Sequence, residues 1–233
     1  EYVLNGAKTF ISNGRNCDLA IVAAKTGDAD SGAGGVTLLL VEADRQGFTK
    51  GRNLAKLGMK AQDTAELAFD NVRVPASNVL GGEGAGFGVL MAELAWERLM
   101  IALGCVAGAR AVFEETVSYV KERKAFNRPV AKFQNTRFKL AEMKTEIQLG
   151  QSFVDQCMEQ QMKSVLAIDA AASAKFWTSE MLCRVVDECL QLHGGYGYML
   201  EYPVAKAYAD ARVQRIYGGT TEIMKEIVAR SIV

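Results

Sequence analysis

The 233-residue sequence is poor in the side chains that most often carry chemistry by themselves. It has one histidine, His193, and five cysteines, Cys17, Cys105, Cys157, Cys183 and Cys189, with no CxxC pair and no Cys/His set at zinc spacing. That pattern excludes the ordinary cysteine- and histidine-based metal centres, and no metal site is expected. An odd number of scattered cysteines reads as reduced core thiols of a reducing compartment. There is no run of about 18 consecutive apolar residues, so an ordinary membrane-spanning helix is excluded. Charge of one sign is missing too: Lys plus Arg and Asp plus Glu number 27 each. No net field therefore recruits nucleic acid or an anionic membrane, and an anionic ligand has to be met by local groups. The chain opens without Met, inside a strand-like pattern, so the natural protein is expected to extend upstream.

What is present is a large apolar fraction, 49% hydrophobic against 23% charged, enough for one large core or two smaller ones. The first third consists of short β-type runs broken by Gly, Asn and Asp: Tyr2 to Leu4, Lys8 to Ile11, Leu19 to Ala23, Val36 to Glu42, Ala65 to Phe69 and Val72 to Val74. Such runs predict an antiparallel sheet or small barrel. The polar stretch Lys25 to Gly35 reads as a hairpin tip, since it matches neither the dinucleotide nor the P-loop spacing. The cluster Gly81, Gly82, Gly84, Gly86 and Gly88 fails those spacings as well and reads as a hinge. Beyond it the apolar period changes from 2 to 3.6, and only two of the three prolines, Pro129 and Pro203, remain. The fold class is therefore α+β: a partial antiparallel β-barrel or sheet domain over residues 1–80, followed by an antiparallel α-helical bundle over 81–233.

One long helix is expected from Gly86 to Phe126. From Leu99 to Ala109 it is apolar on nearly every side, the signature of a helix buried all round. Further helices are expected over Ala131 to Met158, with Phe138, Ala141, Ile147 and Phe153 facing inward, over Lys163 to Leu192, over Pro203 to Tyr217, and from Thr220 to Val233. Glu97 and Arg98 stand at the mouth of the apolar segment. None of their neighbours three or four residues away carries an opposite charge. A buried acid in such a place is more often a structural partner of another segment, yet a carboxylate there is also a candidate general base.

Several long motifs, in order, resemble the acyl-CoA dehydrogenase family. They are EYVLNGAKTFISNG (Glu1 to Gly14), KLGMKAQDTAELAFDNVRVP (Lys56 to Pro75), ERKAF (Glu122 to Phe126), QLHGGYGYMLEYPVAKAYAD (Gln191 to Asp210) and DARVQRIYGGTTEI (Asp210 to Ile223). The resemblance covers essentially the whole chain and is nearest the long-chain and isovaleryl subgroups; the family's N-terminal helical domain has no counterpart in it. It implies an FAD cofactor. Phe10, Ile11 and Ser12 match positions beside the isoalloxazine, where many members have Trp and Thr at the outer two. Arg123, Phe126 and Gln134 match groups that reach the adenine-diphosphate half of a neighbouring subunit's flavin. Gln191, Leu192, His193, Gly194 and Gly195 match a close backbone approach to it, and Thr220, Thr221 and Glu222 match residues near its phosphate and adenosine part.

The resemblance also bears on the base. Many members carry a catalytic Glu immediately before the GT of this last motif, where the present chain has Gly218 in YGGT. In the long-chain and isovaleryl subgroups the base comes from the long helix, at the position of Glu97. Arg98 matches a support of the acyl-CoA site, and Gly218 and Gly219 fall at the substrate. A carboxylate placed at 218 is expected to reach the same proton as Glu97, unless Gly218 is a glycine because its backbone needs a positive φ. The implied activity is oxidation of a saturated long-chain or branched acyl-CoA to trans-2-enoyl-CoA, with Glu97 removing the α-proton in a dry pocket and electrons leaving to an electron-transfer flavoprotein. An acyl-CoA oxidase, or a non-catalytic helical assembly module, is the alternative. A homotetramer built as a dimer of dimers is implied, in the bacterial cytoplasm or the mitochondrial matrix.

Overall fold

The computed structural model describes residues 1–233, apart from the side chain of Ala29. It divides into a β-rich unit, Glu1–Glu93, and a helical unit, Leu94–Val233.

The first unit contains β1 (Tyr2–Ser12), β2 (Leu19–Lys25), β3 (Val36–Glu42), β4 (Phe48–Asn53), β5 (Thr64–Val74) and β6 (Val79–Leu80). They form two antiparallel three-stranded sheets, ordered β1-β5-β4 and β2-β3-β6. Two pairs of runs that the sequence separates are continuous strands. Tyr2 to Leu4 and Lys8 to Ile11 both belong to β1: a register shift at Leu4/Gly6 accommodates the residues between them, and a second lies within the latter run at Lys8/Ile11. In β5, Leu67 and Phe69 face the core while Glu66, Ala68 and Asp70 face out. Asn71, at φ 51°, then shifts the alternation by one residue, so that Val72 and Val74 again face in. β4 and β6 were not expected. β4 offers one apolar residue, Phe48, which stacks on Phe69 at 4.8 Å between ring centroids. The stretch between β2 and β3 is the hairpin connection that its composition predicts.

The long helix α1 (Gly86–Glu122) stops four residues short of the expected Phe126. Phe126 and Asn127 adopt φ 50° and 63°, which ends the helix and turns β7 (Lys124–Ala125) back onto β8 (Arg128–Pro129). Then follow α2 (Gln134–Met162), α3 (Ile168–His193), α4 (Pro203–Ala211) and α5 (Thr221–Ala229). α3 starts later than expected, because Ser164 lies at φ 56° and breaks the chain before it. The helix expected to reach Tyr217 ends at Ala211 and tightens into a 3-10 turn over Arg212–Arg215.

Two inward faces differ from expectation. α2 buries Thr136, Met143, Ile147, Gly150, Val154 and Cys157, a stripe that after one step of seven alternates fours and threes. Phe138 and Ala141 fall off that stripe and are exposed. α1 is not covered on all sides within this chain. Leu99, Ala102, Cys105, Val106 and Ala109 are buried against α2 and α3 residues such as Ile147, Met181 and Val185, whereas Met100, Gly104 and Ala107 on the opposite face are exposed. Full burial of each large apolar side chain in that stripe contributes about 1.5–3 kcal/mol.

Candidate functional site

α1 carries Glu97, Arg98 and Ile101 within five residues. The buried stripe begins at Arg98, only 6% exposed, and Leu99, while Glu97 sits on the flank of the stripe and is exposed. The sequence led us to expect an enclosed Glu97; in this chain the covering segments reach Arg98 and stop there. The buried Nε of Arg98 has no hydrogen-bond partner among the described residues. Burial pushes the pKa of Arg98 down, and the adjacent Glu97 carboxylate opposes that shift.

Glu97 and Ile101 are four apart and so share one helix face. Ile101 meets the YGGT turn: a Cβ on Gly218 would lie 2.3 Å from Ile101 Cδ1. Gly218 and Gly219 take φ 64° and 98°, values that side-chain-bearing residues rarely adopt. Of the two readings of Gly218 that the sequence left open, the backbone requirement is met. On the other side of the turn stands Lys175 of α3, which is fully buried and donates from Nζ to the carbonyl oxygen of Gly219 at 2.6 Å. Burial lowers its pKa, with Cys105, Glu180 and Glu222 opposing and Arg98 adding to the shift. Cys105 is pushed up to about 12 by burial.

A second locus lies at the far end of α1. Arg123, Gln191, Leu192, His193, Gly194 and Gly195 line one cavity of about 540 Å³, together with Tyr119, Val130, Tyr196 and Met199. Its floor is a ring stack of Tyr119 on His193, with centroids 4.1 Å apart. His193 Nδ1 lies 2.8 Å from the carbonyl oxygen of Cys189, which can only accept, so Nδ1 bears a proton. The Tyr119 hydroxyl donates to the His193 carbonyl at 3.2 Å. The guanidinium of Arg123 lies over the Tyr196 ring at 5.3 Å. Gly194, at φ 60°, ends α3, and a Cβ at Gly194 or Gly195 would meet nothing within 4 Å, so the backbone there borders open space.

The remaining sequence-derived residues are distributed as follows. Phe126 and Gln134 do not line that cavity. Phe126 tips the β7–β8 hairpin with 91% exposure, and Gln134 opens α2 and is exposed. Thr220 caps α5, accepting from the Ile223 amide at 3.3 Å. Thr221 is buried and its hydroxyl donates to Glu180. The Glu222 carboxyl is held below its usual range by its own backbone amide and by the Thr220 side chain. In the β-rich unit, Phe10 stands at φ 60° and is 76% exposed, Ile11 is half-buried and Ser12 pairs with Thr64.

Sequence reasoning missed Lys175, Glu180, Tyr119 and Tyr196. For Lys175 a signal existed: it interrupts the stripe Ala171, Ala174, Thr178, Met181 and Val185 of small and apolar residues, where a solvated lysine has no place. Among the described residues no group of three or more His, Cys, Asp or Glu could hold a metal ion, and no helix is long and apolar enough to cross a membrane.

Comparison with known proteins places these features in a family. Residues 1–72 match the model for the acyl-CoA dehydrogenase middle domain, and residues 84–233 match that for the acyl-CoA dehydrogenase C-terminal domain. The chain is 54% identical to the mitochondrial long-chain specific acyl-CoA dehydrogenase of Mus musculus, over 100% of this chain and 54% of that protein. It is 42% identical to the short-chain specific acyl-CoA dehydrogenase of Megasphaera elsdenii, over 95% and 58% of the two chains. A crystal structure of an acyl-CoA dehydrogenase from Geobacillus kaustophilus superimposes with a TM-score of 0.97 at 49% identity, covering 99% of this chain and 61% of that one. The chain thus spans about half the length of the curated relatives it matches. On these matches the chain belongs to the acyl-CoA dehydrogenase family.

Proposed function

We propose that the full-length protein is an FAD-dependent acyl-CoA dehydrogenase that converts a saturated long-chain or branched acyl-CoA to the trans-2-enoyl-CoA and passes electrons to an electron-transfer flavoprotein. The observation that carries this reading is the contact between Ile101 and the Gly218 turn. It sets the helix face bearing Glu97 beside a turn from which the usual carboxylate is absent. In this reading Glu97 is the catalytic base, and Arg98, Gly218 and Gly219 border the substrate.

The residues fit the cofactor. Arg123 offers a cation for a diphosphate, Tyr196 and the Tyr119–His193 stack offer aromatic surface, and the open backbone at Gly194 and Gly195 lets amides approach a ligand closely. Gln191 and Leu192 complete that wall, which together with Phe126 and Gln134 reaches a neighbouring subunit's cofactor, and Phe10, Ile11, Ser12, Thr220, Thr221 and Glu222 serve the remaining contacts. Bound FAD would supply the two-electron acceptor for the hydride that leaves the β-carbon. The chain's own part is proton chemistry. An oxygen of the Glu97 carboxylate takes the α-proton, and the Cα–H electron pair becomes the second bond between Cα and Cβ. A positioned base contributes about 10²- to 10⁴-fold in rate.

The same reading assigns a β-domain to residues 1–80 and a helical domain to 81–233, and a homotetramer in which a neighbour's Arg123 and Gln134 complete each flavin site. The exposed apolar face of α1 around Met100 supports further burial in an assembly. Relatives come from mitochondria and from bacteria, which supports the matrix or the bacterial cytoplasm as its location.

The visible spectrum of the purified full-length protein tests this function. Bound flavin bleached by a long-chain acyl-CoA without oxygen uptake is expected. Bleaching with oxygen uptake identifies an oxidase, and a protein without flavin that leaves acyl-CoA unchanged is an assembly module.

A further inference from the structure

Lys175 and Glu180 stand five residues apart on α3, and both hold the segment that runs from Arg215 to Thr221. Lys175 Nζ donates to the Gly219 carbonyl at 2.6 Å. Glu180 Oε1 accepts from Arg215 Nε at 2.8 Å and from the Thr221 hydroxyl at 3.2 Å. The two Glu180 bonds bracket Gly218, Gly219 and Thr220, and Lys175 pins Gly219 between them. Glycines in left-handed conformations have the least intrinsic preference for one backbone state, so a turn built on two of them is fixed only by its surroundings.

An ammonium is a costly group to enclose completely. Position 175 lies in a stripe with Ala171, Thr178 and Met181, where methionine would continue the apolar packing without that cost. The Arg98 guanidinium adds repulsion across the same core. What the lysine gains there is a hydrogen bond to the Gly219 carbonyl of the turn.

We propose that Lys175 and Glu180 form a two-point clamp that sets the Gly218–Thr220 turn against the Ile101 face of α1, with Lys175 acting as a positioning residue for dehydrogenation. The clamp's role in turnover rests on the function proposed above; the clamp itself does not. A displacement of about 1 Å between reacting groups can cost about a hundredfold in rate, so slackening this turn slows the chemical step more than it weakens binding.

The experiment uses the full-length holoprotein and two variants, Lys175→Met, which keeps most of the length and loses the donor, and Thr221→Val, which keeps shape and loses the hydroxyl. Hydrogen exchange is followed by mass spectrometry in peptides covering 216–224 and 176–190. Each variant is expected to exchange about tenfold faster over 216–224 while 176–190 stays within about twofold of wild type. In Lys175→Met, kcat is expected to fall about ten- to a hundredfold at unchanged flavin content, with KM within about threefold. Wild-type exchange over 216–224 in a folded variant overturns the clamp. So does faster exchange spread equally over 176–190, which would mark Lys175 as an ordinary core residue. If Lys175→Met does not fold, Thr221→Val decides by the same exchange criterion. A wild-type protein that fails to reduce flavin with acyl-CoA removes the proposed function and leaves the exchange result to judge the clamp alone.

Discussion

Ile101 Cδ1 occupies the space that a side chain on Gly218 would need, 2.3 Å from the position of its Cβ, and Gly218 itself lies at φ 64°. Packing and backbone therefore both oppose any larger residue at 218. Gly218→Ala is expected to lower folding stability by about 1–2 kcal/mol through the left-handed backbone alone, with a further loss from the methyl contact. Adding Ile101→Ala should return the packing part and leave the backbone part, a non-additivity that thermal melts of the single and double variants will show. For the same reasons Gly218→Glu in a Glu97→Thr background is expected to restore little turnover. Substantial recovery would show that the turn tolerates a side chain after all.

Arg98 is enclosed with an Nε that has no partner among the described residues, an arrangement that costs stability. Arg98→Met keeps much of the volume and removes the buried charge. It is expected to raise folding stability by about 1 kcal/mol and to lower turnover, as befits a cation kept for a ligand rather than for the core. Chemical denaturation and steady-state kinetics on one preparation separate the two effects. A loss of about 3 kcal/mol or more would instead mark Arg98 as half of a structural pair.

Arg123 is the exposed cation bordering the cavity of about 540 Å³. A hydrogen bond to a charged group contributes about 1.5–3 kcal/mol, so Arg123→Ala should weaken FAD binding about ten- to a hundredfold. Flavin content after gel filtration, and its recovery on adding FAD, measure this directly. Unchanged occupancy would move the diphosphate elsewhere.

Four of the five thiols are pushed up by burial, Cys105 to about 12 and Cys189 to about 11, with Cys157 and Cys183 shifted the same way. Because the folded values exceed the ordinary 9.0, the folded state holds these protons longer than the unfolded chain. Their contribution to stability is thus fully present below pH 9 and is lost as pH rises through 9 towards about 12. At pH 8 an alkylating reagent should spare Cys105, Cys157, Cys183 and Cys189 in the native protein and modify them on unfolding. Peptide mass mapping with and without denaturant is the check.

The sequence carried much of this structure, and the places where it failed have physical reasons. Strand β3 is legible because Val36 to Glu42 is built on the continuous apolar run Leu38 to Val41, and the long helix because Pro is absent over 37 residues. The Gly and Asn that appeared to end strands near Leu4 and Asp70 are register shifts inside them, and local composition does not distinguish a bulge from a turn. Phe138 illustrates a different failure: apolar identity suggested burial, but the α2 stripe is set by its partners Met143, Ile147 and Val154. In the site, Gln191 to Gly195 and Arg123 line one cavity although about 70 residues separate them, which no spacing argument reaches. Lys175, between Ala174 and Phe176, reads as enclosed only once the face it shares with Ala171, Thr178 and Met181 is traced along α3, and the packing of that helix shows that it is.

The most direct test of the whole account is the rate at which a long-chain acyl-CoA bleaches bound flavin, without oxygen, in full-length wild type and Glu97→Gln. The amide keeps the shape of the carboxylate and cannot accept the α-proton. Equal flavin content and a rate lower by about 10²- to 10⁴-fold in the variant are expected. A rate within about tenfold of wild type at full flavin occupancy would contradict that expectation and remove Glu97 as the base.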